Sequence, residues 1–341
     1  MEIRKCTAAD YPALLDVLNI AFDYGVENEW FQREIPHCTP YPAMATAKEI
    51  GHHWVCIIDG RIAGGLGAYP LDWVVSNPAG KRWTVSAYGI GQVCCMPEFR
   101  NQGVMTALMK VAEDEMQKLG RTVGFLSGNR RRYGHFRYDF GGNTVKYRPD
   151  MKLLRLAADP DATIRQANLA DWQEINQAYE TLPSYIKRST RYWELQFARA
   201  STQWFIGESK GRKGYMCIQS KMNASEVYGD PGVLAAMLID RASSLEKGES
   251  IQIFHAAQDV MATPAGQMLY STASGVDSHT IGLFVVINAV KLLDELEIDH
   301  AGLTDGEKEA MARQVVTFAP LPNKAPLVEP LCAWISGADG I

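Results

Sequence analysis

The stretch Gln92-Val93-Cys94-Cys95-Met96-Pro97-Glu98-Phe99-Arg100-Asn101-Gln102-Gly103-Val104-Met105-Thr106-Ala107-Leu108-Met109 decides how this chain is read. A β-rich run stops at Pro97, a polar turn ends in Gly103, and an amphipathic helix begins at once. Such a junction gathers unpaired main-chain N–H groups and the positive end of a helix dipole just beyond a strand. Gly103 lets the backbone come close to an anion and Arg100 adds one side-chain charge, so the turn reads as a diphosphate cradle made from main chain. Taken alone, Arg100-x-x-Gly103 reads better as an ordinary helix start than as an anion site.

The flanking sequence supplies context. Trp54 to Ile58 followed by Gly60-Arg61 reads as strand, tight turn and strand. Val85 to Met96 is the strand that feeds the turn, and Gly103 to Leu119 is the helix that leaves it. A strand at Thr122–Leu126, an aromatic-rich turn with a helix, and a strand from Asn143 to Leu154 follow. Strands and helices in this alternation predict an α/β fold, a mixed sheet with helices on its faces. In the aromatic turn, Leu126-Ser127-Gly128-Asn129 leads through Arg130-Arg131-Arg132 to Tyr133-Gly134-His135-Phe136-Arg137-Tyr138. By residue type alone Tyr133 reads as a core ring with a satisfied hydroxyl. The basic run reads as a solvated loop, a contact to phosphates or an acidic acceptor, or a nucleic-acid contact.

The chain also repeats itself. Ile3-Arg4 and Ala9-Asp10-Tyr11 recur as Ile164-Arg165 and Ala170-Asp171-Trp172, a shift of 161 residues. In each copy a short strand leads into a helix, with Asp10 or Thr7 and Asn168 or Asp171 as the capping candidates. The Trp54 hairpin is echoed by Trp204-Phe205-Ile206 with Gly211-Arg212, read with one extra turn residue. Two echoes in the same order indicate tandem domains, joined near Ala157 to Thr163, a polar, Pro-interrupted stretch. The second copy lacks the Arg-x-x-Gly turn. Gly229-Asp230-Pro231-Gly232 stands in its place, and Pro231 removes an amide N–H, so this turn reads as structural.

Composition narrows the function classes. At 341 residues, 47% hydrophobic and 21% charged, the chain is long and apolar enough for two folded domains. A net charge of −5 argues against a general nucleic-acid binder. The first residues carry no export signal and no apolar run is long enough for a membrane span, so a cytoplasmic protein with neither nucleic-acid nor membrane partners is expected. Cys6, Cys38, Cys56, Cys94, Cys95, Cys217 and Cys332 show no metal-ligand spacing, and reduced core thiols are expected, with no metal. Neighbours on a strand, Cys94 and Cys95 face opposite ways.

In order and spacing, residues 1 to about 150 resemble the GNAT N-acetyltransferase superfamily. Ser127 through Tyr138 resembles the Ser-x-x-x-x-Tyr-Gly-x-Phe-Gly-Tyr pattern of its Eis-like (enhanced intracellular survival) branch, whose members carry tandem GNAT domains. The resemblance implies an acetyl-CoA cosubstrate and transfer of acetyl to a primary amine of a small-molecule or peptide acceptor by direct attack in a ternary complex. It implies that Arg100, Asn101, Gln102, Gly103, Val104 and Met105 cradle the pyrophosphate, that Val93, Cys94 and Cys95 line the pantetheine arm, and that Ser127 and Asn129 stand on the cofactor side. Tyr133 becomes the general acid. Three departures stand out: Met105 replaces a small residue, Arg137 stands where the pattern has Gly, and one residue is inserted before Tyr133.

In that branch the terminal carboxylate is the base, which puts the role on Ile341; Glu27, Glu29, His52 and His53 are the alternatives. The implied domains are a catalytic unit at 1–156, a degenerate second copy at 163–280, and a short C-terminal α/β segment at 281–341. The strand Gly282–Ile287 and helix Ala289–Leu296 of that segment resemble the start of the branch's sterol-carrier-like unit, truncated or rebuilt and packed on the rest. A homo-oligomer is expected. A non-catalytic CoA-binding scaffold of the same fold is the rival reading.

Overall fold

The structure, a computed structural model, describes residues 1–77, 79–142, 144–219, 223–245, 251–256 and 263–317. Two mixed sheets carry the fold. The first contains β1 (Glu2–Lys5), β2 (His53–Ile58), β3 (Arg61–Ser76), β4 (Arg82–Cys95), β5 (Val123–Leu126) and β6 (Asp139–Gly141). The second contains β7 (Thr144–Pro149), β8 (Thr163–Gln166), β10 (Thr202–Ser209), β11 (Arg212–Gln219), β12 (Asn223–Gly229), β13 (Gln252–Ala256) and β14 (Ala273–His279). Two further strands, β9 (Tyr185–Ile186) and β15 (Gly282–Val286), return to the first sheet.

Strand order is β1-β2-β3-β4-β5-β15-β6 in the first sheet, with β9 paired to β3, and β8-β10-β11-β12-β13-β7-β14 in the second. The two orders superimpose position by position. In each sheet the fourth and fifth strands run parallel, at Ala87↔Val123 and at Asn223↔Gln252. The sixth position is exchanged. β7, which follows β6 in sequence, crosses to sit between β13 and β14, and β15, which follows β14, crosses back between β5 and β6. Each sheet is thus completed by a strand from the other half of the chain.

The repeat is visible in side chains as well. Arg4 grips Asp10 with two hydrogen bonds of 2.6 and 3.0 Å, and Arg165 grips Asp171 with two of 2.8 and 2.7 Å. Each pair ties an edge strand to the helix after it, α1 (Tyr11–Ala21) and α7 (Trp172–Tyr179). Asp10 is committed to Arg4 and the Thr7 turn and does not cap α1, contrary to expectation, whereas Asn168 does cap its own short turn. The two hairpins close alike, through Asp59-Gly60 (φ 50° and 72°) and Lys210-Gly211 (φ 50° and 78°), the paired left-handed residues of a type I′ turn. The expected extra turn residue in the second copy is absent; that residue lies in β10.

The expected strand from Asn143 to Leu154 is another correction. Asn143 lies outside the described residues, β7 ends at Pro149, and Asp150 caps helix α6 (Met151–Ala157) through the Lys152 and Leu153 amides. The C-terminal helices Ala289–Glu295 and Asp305–Val316 pack Leu292, Leu293, Met311 and Val315 against Trp73, Val85, Val123 and Phe284 of the first sheet. Cys94 packs toward α1 and Cys95 toward α4 (Val104–Lys118), on opposite faces of β4. Among the described residues six cysteines are free, five of them buried, and no helix is long and apolar enough to cross a membrane.

Candidate active site

The site forms where β4 and β5 part. They pair only from Ala87 to Gly89, after which β4 runs on to Cys95 with β3 as its hydrogen-bonded neighbour. Within that overhang Gln92 and Val93 together oppose Leu66, since Gly91 pairs with Gly67 and Cys94 with Gly65, a β-bulge with Gln92 at φ 49°. The bulge bends β4 away from β5 and opens a V between them.

At the mouth of the V, Pro97 ends the strand with a single 3-10 turn, Pro97–Phe99, and α4 starts after Gly103. Gly103 takes φ 77°, a left-handed conformation in which a Cβ is strained, and a Cβ placed there would meet no atom within 4 Å. No side chain caps α4, so its first-turn amides point into open space. Val104, Leu108, Met109, Ala112 and Met116 anchor one face of the helix in the core.

A cavity of about 600 Å³ lies there, lined by Val93, Cys94, Cys95, Arg100, Asn101, Gly103, Val104 and Met105 of the expected residues. Gln102 is absent from its lining; its side chain donates to the Glu98 carbonyl at 3.2 Å. Ala21, Phe22, Phe99, Thr106 and Arg132 complete the wall.

The second copy offers an internal control. Its helix α9 (Pro231–Ser243) starts at the equivalent junction, but Asp230 places its own carboxylate on the Gly232 and Val233 amides, at 3.0 and 3.1 Å. The adjoining bulge of β12 is also filled. Glu226 beside it pairs with Arg188, both side chains wholly buried, and Arg188 stacks 3.6 Å from the Tyr179 ring centroid. Protein groups already occupy the positions left open in the first copy, which fits the structural reading of the Gly229–Gly232 turn.

A second cavity of about 250 Å³ adjoins the first and shares Phe22, Val93 and Arg132 with it. Ser127, Asn129 and Tyr133 line it, together with Gln92 and the aromatic residues Tyr24, Trp30 and Phe31. Asn129 caps the short helix α5 (Arg130–Tyr133) by accepting from the Arg131 amide. Gly128 makes room for the phenol, since a Cβ there would sit 2.5 Å from Tyr133 Cε2. Tyr133 is 7% exposed; burial lifts its phenol above the usual tyrosine range, with Arg132 pulling the other way. Burial also pushes the Cys94 thiol up to about 12 and raises Cys95.

The basic run separates in space. Arg130 pairs with Asp139, Arg137 with Glu113, and Arg132 alone reaches both cavities. Neither cavity is lined by an Asp or Glu among the described residues. Glu27 and Glu29 are exposed outside them, and His53 is fully buried against Tyr69. Ile341 and Cys332 lie outside the described residues. The aromatic wall and Gln92 escaped sequence reading: an aromatic cluster at residues 22–31 carries no fixed meaning, and nothing local marks Gln92 as a bulge.

A family model described as an acetyltransferase (GNAT) domain matches residues 2–141. Similar solved structures include GCN5-related N-acetyltransferases from Kribbella flavida (13% identity, TM-score 0.63, covering 84% of this chain and 72% of that one) and Anabaena variabilis (14%, 0.65, 86% and 74%). Eis1 from Mycobacterium abscessus is similar at 14% identity and TM-score 0.56, covering 86% of this chain and 76% of that one. No curated protein matched the sequence. At these identities the structural likeness establishes the fold, and the family match speaks for the first copy, whose helix N-terminus stands open. Residues 2–141 are therefore similar to the acetyltransferase (GNAT) domain family, and the first copy is the part of the chain that carries that likeness.

Proposed function

We propose that the chain transfers the acetyl group of acetyl-CoA to a primary amine by direct attack in a ternary complex, as an Eis-like tandem enzyme in which the catalytic copy at 1–156 gives its β7 to the second sheet, and the degenerate copy at 163–280 is followed by a segment at 281–341 whose β15 completes the first. The observation that carries this reading is the continuity of the uncapped α4 cradle with the Tyr133 cavity. Main-chain amides at Val104 and Met105, with Arg100 and Asn101, hold the diphosphate. Val93, Cys94 and Cys95 offer the free edge of β4 to the pantetheine arm, and Ser127 and Asn129 border the thioester end.

The amine nitrogen attacks the acetyl carbonyl carbon, the C–S bond breaks, and the thiolate takes the Tyr133 proton. A raised phenol pKa keeps that proton in place at neutral pH. The nitrogen sheds its extra proton to a base, for which the branch resemblance supplies the Ile341 carboxylate; that proton then passes to water, from which Tyr133 regains its own. Direct attack is favoured over an acetyl-cysteine because both nearby thiols are pushed up by burial and stay protonated. The partner is an amine-bearing small molecule or peptide, and the free core thiols suit a reducing, cytoplasmic setting.

The test is thiol release from acetyl-CoA with an amine panel. Tyr133→Phe should lower kcat by about 10²–10⁴ with CoA affinity by calorimetry unchanged. Equal rates in wild type and variant would remove Tyr133 from the mechanism; failure of the wild type to bind CoA would remove the whole reading.

A further inference from the structure

The 250 Å³ cavity has a chemistry of its own. Phe22, Tyr24, Trp30, Phe31, Ile35 and Ile90 form its walls, with Tyr24 and Trp30 stacked at 4.2 Å between centroids and Trp30 meeting Phe31 edge-on at 5.2 Å. The wall is fixed to the body: Asn19, fully buried, donates to the Leu15 carbonyl and to Gln32, which stands beside Phe31 on helix α2 (Trp30–Glu34). Among the described residues, the one charged side chain on the lining is Arg132, a cation. A polycationic acceptor entering here would give up its hydration with no carboxylate in return, which is costly. An aromatic body would instead bury apolar area against rings. At ~30 Å³ per water the space holds roughly eight waters, room for one ring and a short chain.

Beside Ser127, Asn129, Arg132 and Tyr133, the cavity holds a further polar side chain in Gln92, 5% exposed and projecting from the bulge. Its Oε1 lies 2.5 Å from Tyr69 Oη, and its Nε2 has no hydrogen-bond partner. Tyr69 Oη also lies 3.1 Å from His53 Nε2, while His53 Nδ1 faces the Glu49 carbonyl at 3.2 Å. A carbonyl can only accept, so the single N–H of a neutral His53 sits on Nδ1 and its Nε2 accepts the Tyr69 proton. Burial holds His53 neutral, with its pKa down to about 4. Tyr69 then has no proton left for Gln92 Oε1, so this network requires the carboxamide turned over, its NH₂ on Tyr69 and its carbonyl oxygen at the unpartnered end.

We propose that this cavity is the acceptor site for a primary amine carried on an aromatic body, and that the Gln92 side-chain oxygen receives an N–H of that amine. The assignment rests on the acetyl-transfer reading. Tyr69 and His53 are positioning residues that fix which end of the carboxamide faces the substrate.

Thiol release with 2-phenylethylamine and with spermine, at matched ionic strength, tests the class. We expect kcat/KM at least tenfold higher for 2-phenylethylamine. Gln92→Met, close in volume and without the acceptor oxygen, should raise KM for 2-phenylethylamine about tenfold, with CoA affinity and melting temperature unchanged. Trp30→Ala should raise KM for 2-phenylethylamine and leave that for spermine unmoved. A preference for spermine, or an unchanged KM in Gln92→Met, overturns the acceptor assignment and leaves acetyl transfer standing. Absence of CoA binding in calorimetry overturns both.

Discussion

The exchanged strands make a prediction that the domain arithmetic of the sequence does not. Phe284 on β15 is wholly buried in the first sheet, 5.0 Å from the Phe125 ring and 5.6 Å from Trp73 by ring centroids, although it lies in the last segment of the chain. Truncation to alanine removes a buried aromatic from a packed site, at a cost of about 3–5 kcal/mol. For units of this size about 1 kcal/mol corresponds to 2–4 °C, so the transition should fall by roughly 6–20 °C. The location of the loss is the informative part. Since β15 pairs directly with β5 from Leu283↔Leu126 to Val286↔Val123, the transition that falls should be the one CoA raises by mass action. Scanning calorimetry of wild type and Phe284→Ala, each with and without saturating CoA, reads this out. A CoA-responsive transition that moves by less than about 2 °C, with a separate transition absorbing the loss, would show that residues after 281 fold as their own unit and would refute the exchange.

Two further outcomes follow from the contrast between the copies and from the buried histidine. Gly103→Ala should cost about 1 kcal/mol for its left-handed conformation and weaken CoA at least tenfold as the Cβ enters the cradle, whereas Asp230→Ala should cost about 1 kcal/mol as a lost cap and leave CoA affinity untouched; equal effects on CoA would sink the assignment of the site to the first copy. His53 has its folded pKa depressed from 6.5 to about 4, chiefly by burial, with His52 and Lys5 also disfavouring charge. Below about pH 6.5 the unfolded chain takes up a proton that the folded chain refuses, so stability falls as pH drops toward 4, by up to about 3 kcal/mol. Urea unfolding at pH 7.5 and 4.5 measures it, and His53→Gln should flatten that part of the slope.

The candidate site was legible wherever the information is local. Pro97 ends a strand by lacking an N–H, Gly103 tolerates the turn's left-handed φ, and Val104, Leu108 and Met109 face one way on a helix; these are properties of short segments. The repeat was readable for the same reason, because each Arg–Asp pair spans only six residues. Tyr133 was singled out by its motif, and its burial follows from the Gly128 next to it.

The sequence by itself thus determined the elements, their tandem order and the open helix terminus, through backbone chemistry acting over a few residues. Tertiary structure alone decided which strand completes which sheet, since Thr144–Pro149 and Gly282–Val286 both satisfy an antiparallel slot and only long-range pairing and packing choose between them. It decided the bulge at Gln92 in the same way, because a bulge is a count of residues against a partner strand. The aromatic wall, the amide orientation and the plugging of the second copy by Asp230 and Arg188 depend on groups far apart in the chain, brought together by burial.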